Sequence, residues 1–366
     1  MDSARIIATV VFVGALILLG DAWLKKDQSL EVDSALVATT EQTISTIPQA
    51  TIRDTEERSD SQPFTSTGGA VSSDYILVNT DVFSAKIDKL GAGIKELVLT
   101  QHHSKDSKAE ALKLFEIDRG RTYIAESGLI GDGLPNHNSL FNSELSEYSL
   151  QTGVERLRVT LVSDSDASRV EKIYTFHRGS YAIDVEYKIK NKTSSTIIPS
   201  AYFQLLRDGG GADGDTKLQP TYTGGAVYSE EVKFTKVDFK DMDRSKVKYP
   251  KVANDGWVGF VQHYFVAAWL PENGATRENF TRSLGNNLYA MGYVQGISEI
   301  GSKGTGSVST RLYAGPQEQE VLKSLAPGLN LVVDYGWLTI IAAPLFWLLS
   351  AIHGLVGNWG WSIVFL

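Results

Sequence analysis

From Tyr75 to about Tyr313 the chain alternates apolar and polar residues in short runs, and this pattern restricts the possible folds more than any other feature. Residues 75–83, 94–99, 156–162, 171–176 and 181–189 each alternate or nearly so. They are rich in β-branched and aromatic side chains and are bounded by Gly, Asp, Asn or Ser, the punctuation expected of strands. Residues 257–270 are apolar on both alternating faces except at Gln262 and His263. That predicts one strand buried on both sides, with His263 a hydrogen-bonded core histidine. Roughly 240 residues of closely spaced strands, with little helical periodicity, predict a mainly β chain built as one large antiparallel sandwich.

The ends differ from this middle. Residues 6–20 carry no charge and only Thr9 is polar; residues 331–366 carry one formal charge, Asp334. Between the first apolar run and the β region, residues 27–73 hold 16 Ser or Thr and eight acids against Arg53 and Arg58. Their one aromatic is Phe64, so they cannot bury enough apolar area to offset the cost of ordering, and a disordered acidic linker is predicted. The whole chain of 366 residues has a net charge of -8. It lacks the basic face that collects phosphates, so no nucleic-acid partner is expected. Cysteine is absent, which excludes disulfides, thiolate metal sites and a Cys nucleophile.

Residues 6–24, interrupted by Asp21, would make about 28 Å of helix, close to the hydrocarbon thickness of a bilayer. Arg5 supplies a basic start, but no small-x-small cleavage site follows, and Trp23 before Lys25 and Lys26 looks like an interface anchor. An uncleaved transmembrane anchor is predicted, with basic groups on both sides that leave its orientation open. After the β region, Pro316 reads as the first residue of a short helix over 316–325, with Gly328 beyond its end. In 338–356, Leu338, Ile341, Leu345, Leu348, Ile352 and Leu355 form a helical stripe, with Pro344 as a bend. Gly357-Asn358-Trp359-Gly360 breaks it, and a second apolar run begins at Trp359. Trp23, Trp337, Trp347, Trp359 and Trp361 stand near these membrane boundaries as interfacial residues. Thr339, Ser350 and His353 interrupt the stripe, and Trp337 and Trp347 are only about 15 Å apart along a helix. This predicts an amphipathic helix lying in the interface rather than spanning it.

Signals for chemistry are thin. Gly209, Gly211 and Gly214 match a dinucleotide fingerprint, but no helix opens after them, so a loop is expected. Asp208, Asp213 and Asp215 lack the calcium-loop spacing. The six histidines, 102, 103, 137, 177, 263 and 353, show no metal-ligand spacing, and His102-His103 read as a loop. No nucleophile elbow or phosphate-binding loop is present. The expectation is no enzyme, no cofactor and no metal.

Several segments carry a family resemblance. Asp334-Tyr335-Gly336-Trp337-Leu338, Pro344-Leu345-Phe346, Ile352-His353 and Gly357-Asn358-Trp359-Gly360-x-Ser362-Ile363 resemble the entry to the core of the bacterial YidC membrane protein insertases. Trp257-x-Gly259-Phe260-x-Gln262-His263-Tyr264-Phe265 and Tyr313-x-Gly315-Pro316 are similar to segments of that family's periplasmic domain, and Met1-Asp2-Ser3-x-Arg5 to its start. The resemblance implies a Gram-negative inner-membrane protein whose N-terminus is cytoplasmic and whose large domain is a periplasmic, galactose-mutarotase-like supersandwich. It implies help with insertion, folding and assembly of integral membrane proteins, with or without the Sec translocon. The implied partners are nascent membrane proteins, the Sec translocon and its accessory subunits, the lipid bilayer, and the ribosome through family regions absent here.

The organisation that follows is a transmembrane anchor over 1–26, the acidic linker over 27–73 and the supersandwich over 74–315. A short helix and linker over 316–336, the interfacial helix over 337–356 and the start of a second transmembrane helix over 357–366 complete it. The chain reads as a fragment lacking most of the insertase core. The alternative is a periplasmic carbohydrate-binding or mutarotase-like sandwich protein, which would need an acid and a base paired across a cleft.

Overall fold

In a computed structural model, the structure describes residues 48, 74–103, 110–118, 120–211, 222–246, 248–333 and 339–366. All lie in the unit Ser45–Leu366. The anchor and linker predicted over 1–73, Trp23 among them, lie outside the described residues except for Pro48.

Two large sheets pack face to face. In the first, β1 (Tyr75–Asn79), β2 (Phe83–Asp88), β3 (Ile94–His103), β4 (Ala111–Asp118) and β5 (Arg121–Ile130) form a meander. Beyond β5 the sheet continues through β11 (Ser200–Asp208), β18 (Leu288–Gly296), β17 (Arg277–Ser283) and β14 (Val252–Ala253). At the other edge β7 (Glu147–Ser149) adds to β1 in parallel. In the second sheet β6 (Asn142–Ser143), β8 (Arg156–Asp164), β9 (Ser168–His177) and β10 (Ala182–Asn191) lead to β19 (Thr305–Pro316). From there it runs through β16 (Phe265–Pro271), β15 (Trp257–Gln262) and β12 (Thr223–Ser229) to the edge strand β13 (Lys233–Val237). The mainly β sandwich expected from the alternation is therefore present, with one parallel pair at an edge.

The alternation explains the layers. Ile183, Val185, Tyr187 and Ile189 of β10 are buried, while Asp184 and Glu186 between them are half-buried and Lys188 and Lys190 are exposed. Aromatic rings join the two inner faces: Phe203 meets Trp269 with centroids 5.3 Å apart, and Tyr123 meets Phe260 at 6.2 Å. Removing such apolar area from water is the main stabilising term for the domain.

Four local expectations are corrected. Residues 75–83 are two strands, because the Thr80 hydroxyl accepts from the Val82 and Phe83 amides and turns the chain. Residues 257–270 are likewise a hairpin, with Gln262 opposite Phe265 and a two-residue turn at His263 and Tyr264. His263 has a φ of 39° and sits half-buried in that turn rather than in a core strand. His102 and His103 end β3 instead of lying in a loop. Pro316 is the last residue of β19, and the helix that follows, α2, is Gln319–Leu325; α1 is Phe239–Asp243.

Helix α2 leads through a short 3-10 turn, Leu329–Val332, toward α3 (Thr339–Val356) and α4 (Trp359–Phe365). Among the described residues no helix is long and apolar enough to cross a membrane.

Candidate functional site

Two motifs far apart in the sequence meet at the β15–β16 hairpin. Phe265 pairs with Pro316, Val266 with Gly315 and Ala268 with Tyr313. The Tyr313 hydroxyl donates to the Pro316 carbonyl at 2.6 Å and holds the last residues of β19 in place. The chain then turns over the hairpin tip. The Gln317 amide donates to the Tyr264 carbonyl at 2.8 Å, and the Gln317 side-chain amide donates to the Phe265 carbonyl at 3.0 Å.

The exit segment 317–333 runs along the hairpin to its open end. There the indole N–H of Trp257 donates to the Pro327 carbonyl at 3.2 Å. Trp257 is fully buried and stacks on Tyr228, centroids 6.3 Å apart and planes within 8°. Gly328 has a φ of 69°, and a Cβ there would lie 2.1 Å from the Tyr228 ring, so only glycine lets the backbone turn this close. Leu322, Leu329 and Val332 then bury in the sandwich core. The exit is thus fastened at both ends of one hairpin before the chain reaches its apolar helices.

Beside the hairpin tip is a cavity of about 380 Å³ at the mouth of the space between the sheets. Leu112, Phe265 and Pro316 give it apolar walls; His102, His103, Lys113 and Arg121 bring basic groups to it. His102 meets Phe265 edge-on at 5.5 Å and lies 3.2 Å from the Tyr181 hydroxyl. Burial pushes the His102 imidazole below its ordinary value, against the pull of Glu318 and with the help of His103. Tyr264, at the tip, is 67% exposed. Gln262, from β15, is buried and lines the same cavity.

At the other apolar end, α3 and α4 form a corner. Gly357 adopts a φ of 68° and ends α3, its amide donating to the His353 carbonyl at 2.7 Å. Asn358 caps α4, its Oδ1 accepting from the Gly360 and Trp361 amides at 2.9 and 3.3 Å. The His353 ring stacks on Trp359 at 3.8 Å. Pro344 lies inside α3, next to the exposed Leu345 and Phe346. Trp347 is 71% exposed and Trp361 59%. The motif residues Asp334, Tyr335, Gly336 and Trp337 lie outside the described residues, while Gly259 and Phe260 are buried in β15.

Groups that could suggest catalysis are engaged in structural pairings. Asp208 accepts from the Gly210 and Thr122 amides at 2.8 and 2.9 Å. Gly209 to Gly211 follow β11 without opening a helix, and Asp213, Gly214 and Asp215 lie outside the described residues. His177 sits 2.7 Å from Asp184, but Arg311 binds the same carboxylate at 2.6 Å. Burial alone would raise the Asp184 pKa; the hydrogen bonds from Arg311 and His177 hold it below its ordinary value. Glu126 is buried, which also opposes its ionisation, yet Lys95 at 2.6 Å and Gln204 at 3.1 Å keep it low. Among the described residues no three His, Asp or Glu side chains converge as metal ligands.

The model of the YidC periplasmic domain matches residues 75–348, which contain the whole sandwich, the exit segment and half of α3. The chain belongs to the YidC family. A membrane protein insertase YidC from Nitrosospira multiformis is 41% identical over all of this chain and 67% of that protein. The YidC of Aromatoleum aromaticum is 42% identical over all of this chain and 66% of that protein, and that of Methylobacillus flagellatus 41% over the same shares. The chain spans about two thirds of the length of the curated YidC relatives it matches. Among solved structures, a galactose mutarotase related enzyme from Lactobacillus acidophilus aligns with a TM-score of 0.40 at 9% identity, over 66% of this chain and 97% of that one. A galactose mutarotase-like protein from Lactobacillus casei gives the same score and identity over 66% and 99%. Nothing about activity follows from likeness at that level.

The YidC motif residues Gln262 to Phe265 and Pro316 converge on the cavity beside the hairpin tip. Sequence reasoning placed them in one family pattern but not in one place, and it missed His102, Lys113 and Arg121, which reach the cavity from β3, β4 and β5.

Proposed function

We propose that this chain is the anchoring and periplasmic part of a membrane protein insertase, a non-enzymatic factor that helps integral proteins enter, fold and assemble in a bacterial inner membrane. The observation that carries this is the continuity of the family domain, residues 75–348, with the apolar pair α3 and α4 through an exit segment fastened along one hairpin. The exit segment is held against the sandwich as far as Val333, which supports a periplasmic domain that leads directly toward the apolar helices. Its clients are nascent membrane proteins, and the Sec translocon and its accessory subunits are its docking partners; the ribosome is met by parts of such insertases outside this chain. The large domain lies in the periplasm. Trp347, Trp359 and Trp361, exposed on α3 and α4, meet the lipid interface, where amphipathic rings are favoured.

The test is a chimera in which residues 1–366 replace the matching part of the Nitrosospira multiformis protein, produced in cells depleted of their own insertase. Restored growth and restored insertion of a reporter membrane protein are expected. A chimera that accumulates in the inner membrane but restores neither would overturn the proposal.

A further inference from the structure

Strands β5, β11 and β18 are buried along almost their whole length, on both alternating faces. Their odd-numbered residues meet the second sheet: Tyr123 reaches Phe260 and Phe203 reaches Trp269. Among the described elements, β16 packs on β11 and β15 on β18 from that side. Their even-numbered residues face the other way, where the sheet of a two-layer sandwich normally meets solvent. Yet Glu126, Gln204, Ala290, Gly292 and Val294 are all buried there. Described residues cover the two ends of this outer face. The loop 131–141 closes one end, with the His137 amide donating to the Tyr202 hydroxyl at 3.1 Å. Leu284 and Leu288 close the other, over Ile124, Leu206 and Ala290. The row between them runs Glu126, Gln204, Gly292 and Phe280 in ladder register, and Gly292 brings no side chain to cover itself. Lys95 neutralises Glu126 at 2.6 Å, and the Arg282 guanidinium lies over the Phe280 ring at 4.9 Å. Such a trough suits an uncharged segment with small apolar side chains.

The chain itself supplies one. Pro48 is buried, and from Ser45 onward the chain belongs to the same compact unit as the sandwich. Pro48 stands within residues 42–52, eleven residues without a charge, among them Ile44, Ile47 and Ile52. The 26 residues from Pro48 to Asp74 reach up to about 90 Å when extended, so every face of the sandwich is accessible to it. We propose that residues 45–51 lie along the middle row of this outer face, with Ile47 and Pro48 over Gly292 beside Phe280, and so strap the linker to the sandwich. Proline suits a seat on a face rather than at an edge, because it has no N–H to leave unpaired when buried. The free tether between anchor and sandwich then shortens to residues 27–44. The inference does not depend on the insertase reading.

The test is cross-linking of the full chain in detergent micelles, where the absence of cysteine lets two be placed at will. Pro48→Cys is combined either with Phe280→Cys or, as the comparison, with Ser307→Cys on the exposed face of the second sheet. A short bis-maleimide should join 48 to 280 within one chain at least about tenfold faster than 48 to 307. Equal rates overturn the proposal. So does a 48–280 link formed only between two chains, which would give the seat to a second copy. A second measurement leaves the sandwich unaltered. A fluorescent peptide with the sequence of residues 42–52 is titrated into the native chain and into a chain carrying Ile47→Asp and Pro48→Asp. The tethered copy competes at high effective concentration, so the peptide should bind the variant at least about tenfold more tightly than the native chain. Equal binding to both chains, or binding to neither, also overturns the proposal.

Discussion

The Trp257 indole N–H and the Pro327 carbonyl, 3.2 Å apart, join the start of a sandwich strand to the segment through which the chain leaves the sandwich. The donor ring is fully buried and stacked on Tyr228 while Pro327 is exposed, so the bond is partly buried. Trp257→Phe keeps most of the ring volume and removes the donor; it should cost about 1–2 kcal/mol in urea unfolding. Trp257→Ala also leaves a void and should cost about 3–5 kcal/mol. A Trp257→Phe variant as stable as the native chain would show that the hydrogen bond contributes nothing.

Gly328 should resist every side chain. With a φ of 69° and the Tyr228 ring where a Cβ would go, Gly328→Ala must either move the ring or pull Pro327 away from Trp257. A destabilisation of more than about 1 kcal/mol is expected. Gly296→Ala, at an exposed strand end with open space around it, serves as the control and should change stability little. Indole fluorescence, dominated by the tryptophans of the sandwich and tail, should shift only in the first variant.

Lys172 should give the domain an alkaline pH dependence. Its ammonium is fully buried, donates to the Gly91 carbonyl at 3.3 Å and lies 5.4 Å from the centroids of the Tyr174 and Tyr187 rings. Burial pushes its pKa well below 10.5, against the attraction of Glu126 and with the repulsion of Lys95. In the unfolded chain the amine keeps its ordinary value, so between the two values the unfolded state binds more protons. Stability must therefore rise with pH across that window, by up to about 1.4 kcal/mol per unit, and the full penalty is present below it. Lys172→Met should flatten this slope when ΔG is measured from pH 7 to 10. An unchanged slope in the variant would assign the dependence to other groups.

The lie of α3 can be read by labelling, because the chain has no cysteine of its own. Single cysteines at Ser350 and Gly354 in intact cells should both react with a membrane-impermeant maleimide added from the periplasmic side. A residue that reacts only from the cytoplasmic side would mean that α3 spans the bilayer. His353→Ala, which removes the ring stacked on Trp359, should loosen the corner and broaden the labelling without unfolding the sandwich.

The sequence made the sandwich legible because half-buried strands must alternate, and the alternation survives in 156–161 and 183–189. It did not reveal the β15–β16 hairpin. His263 takes a positive φ without being Gly, Asn or Asp, so the turn carries no turn residue and the run reads as one strand. Pro316 misled in the opposite sense. Proline suits a first helical position, but here its missing N–H falls at the end of β19, while its carbonyl accepts from Tyr313. The cavity was out of reach altogether. Its walls come from β3, β4, β5, the hairpin and β19, and no local pattern records that Phe265 and Pro316 are ladder partners. The apolar stripe over 338–356 was legible as a helix, and the break at Gly357-Asn358-Trp359-Gly360 as its end, because such signals are local.

The central claim is that the exit segment folds as part of the sandwich and not as a linker to the apolar helices. Hydrogen–deuterium exchange of the full chain tests it directly. The amides of Leu322, Ala326, Leu329 and Val333, bonded within the segment, should be protected to the same order as the β15–β16 ladder, and Trp257→Phe should release them before the ladder. Exchange of these amides at the rate of an exposed loop in the native chain, with the ladder still protected, would contradict the account.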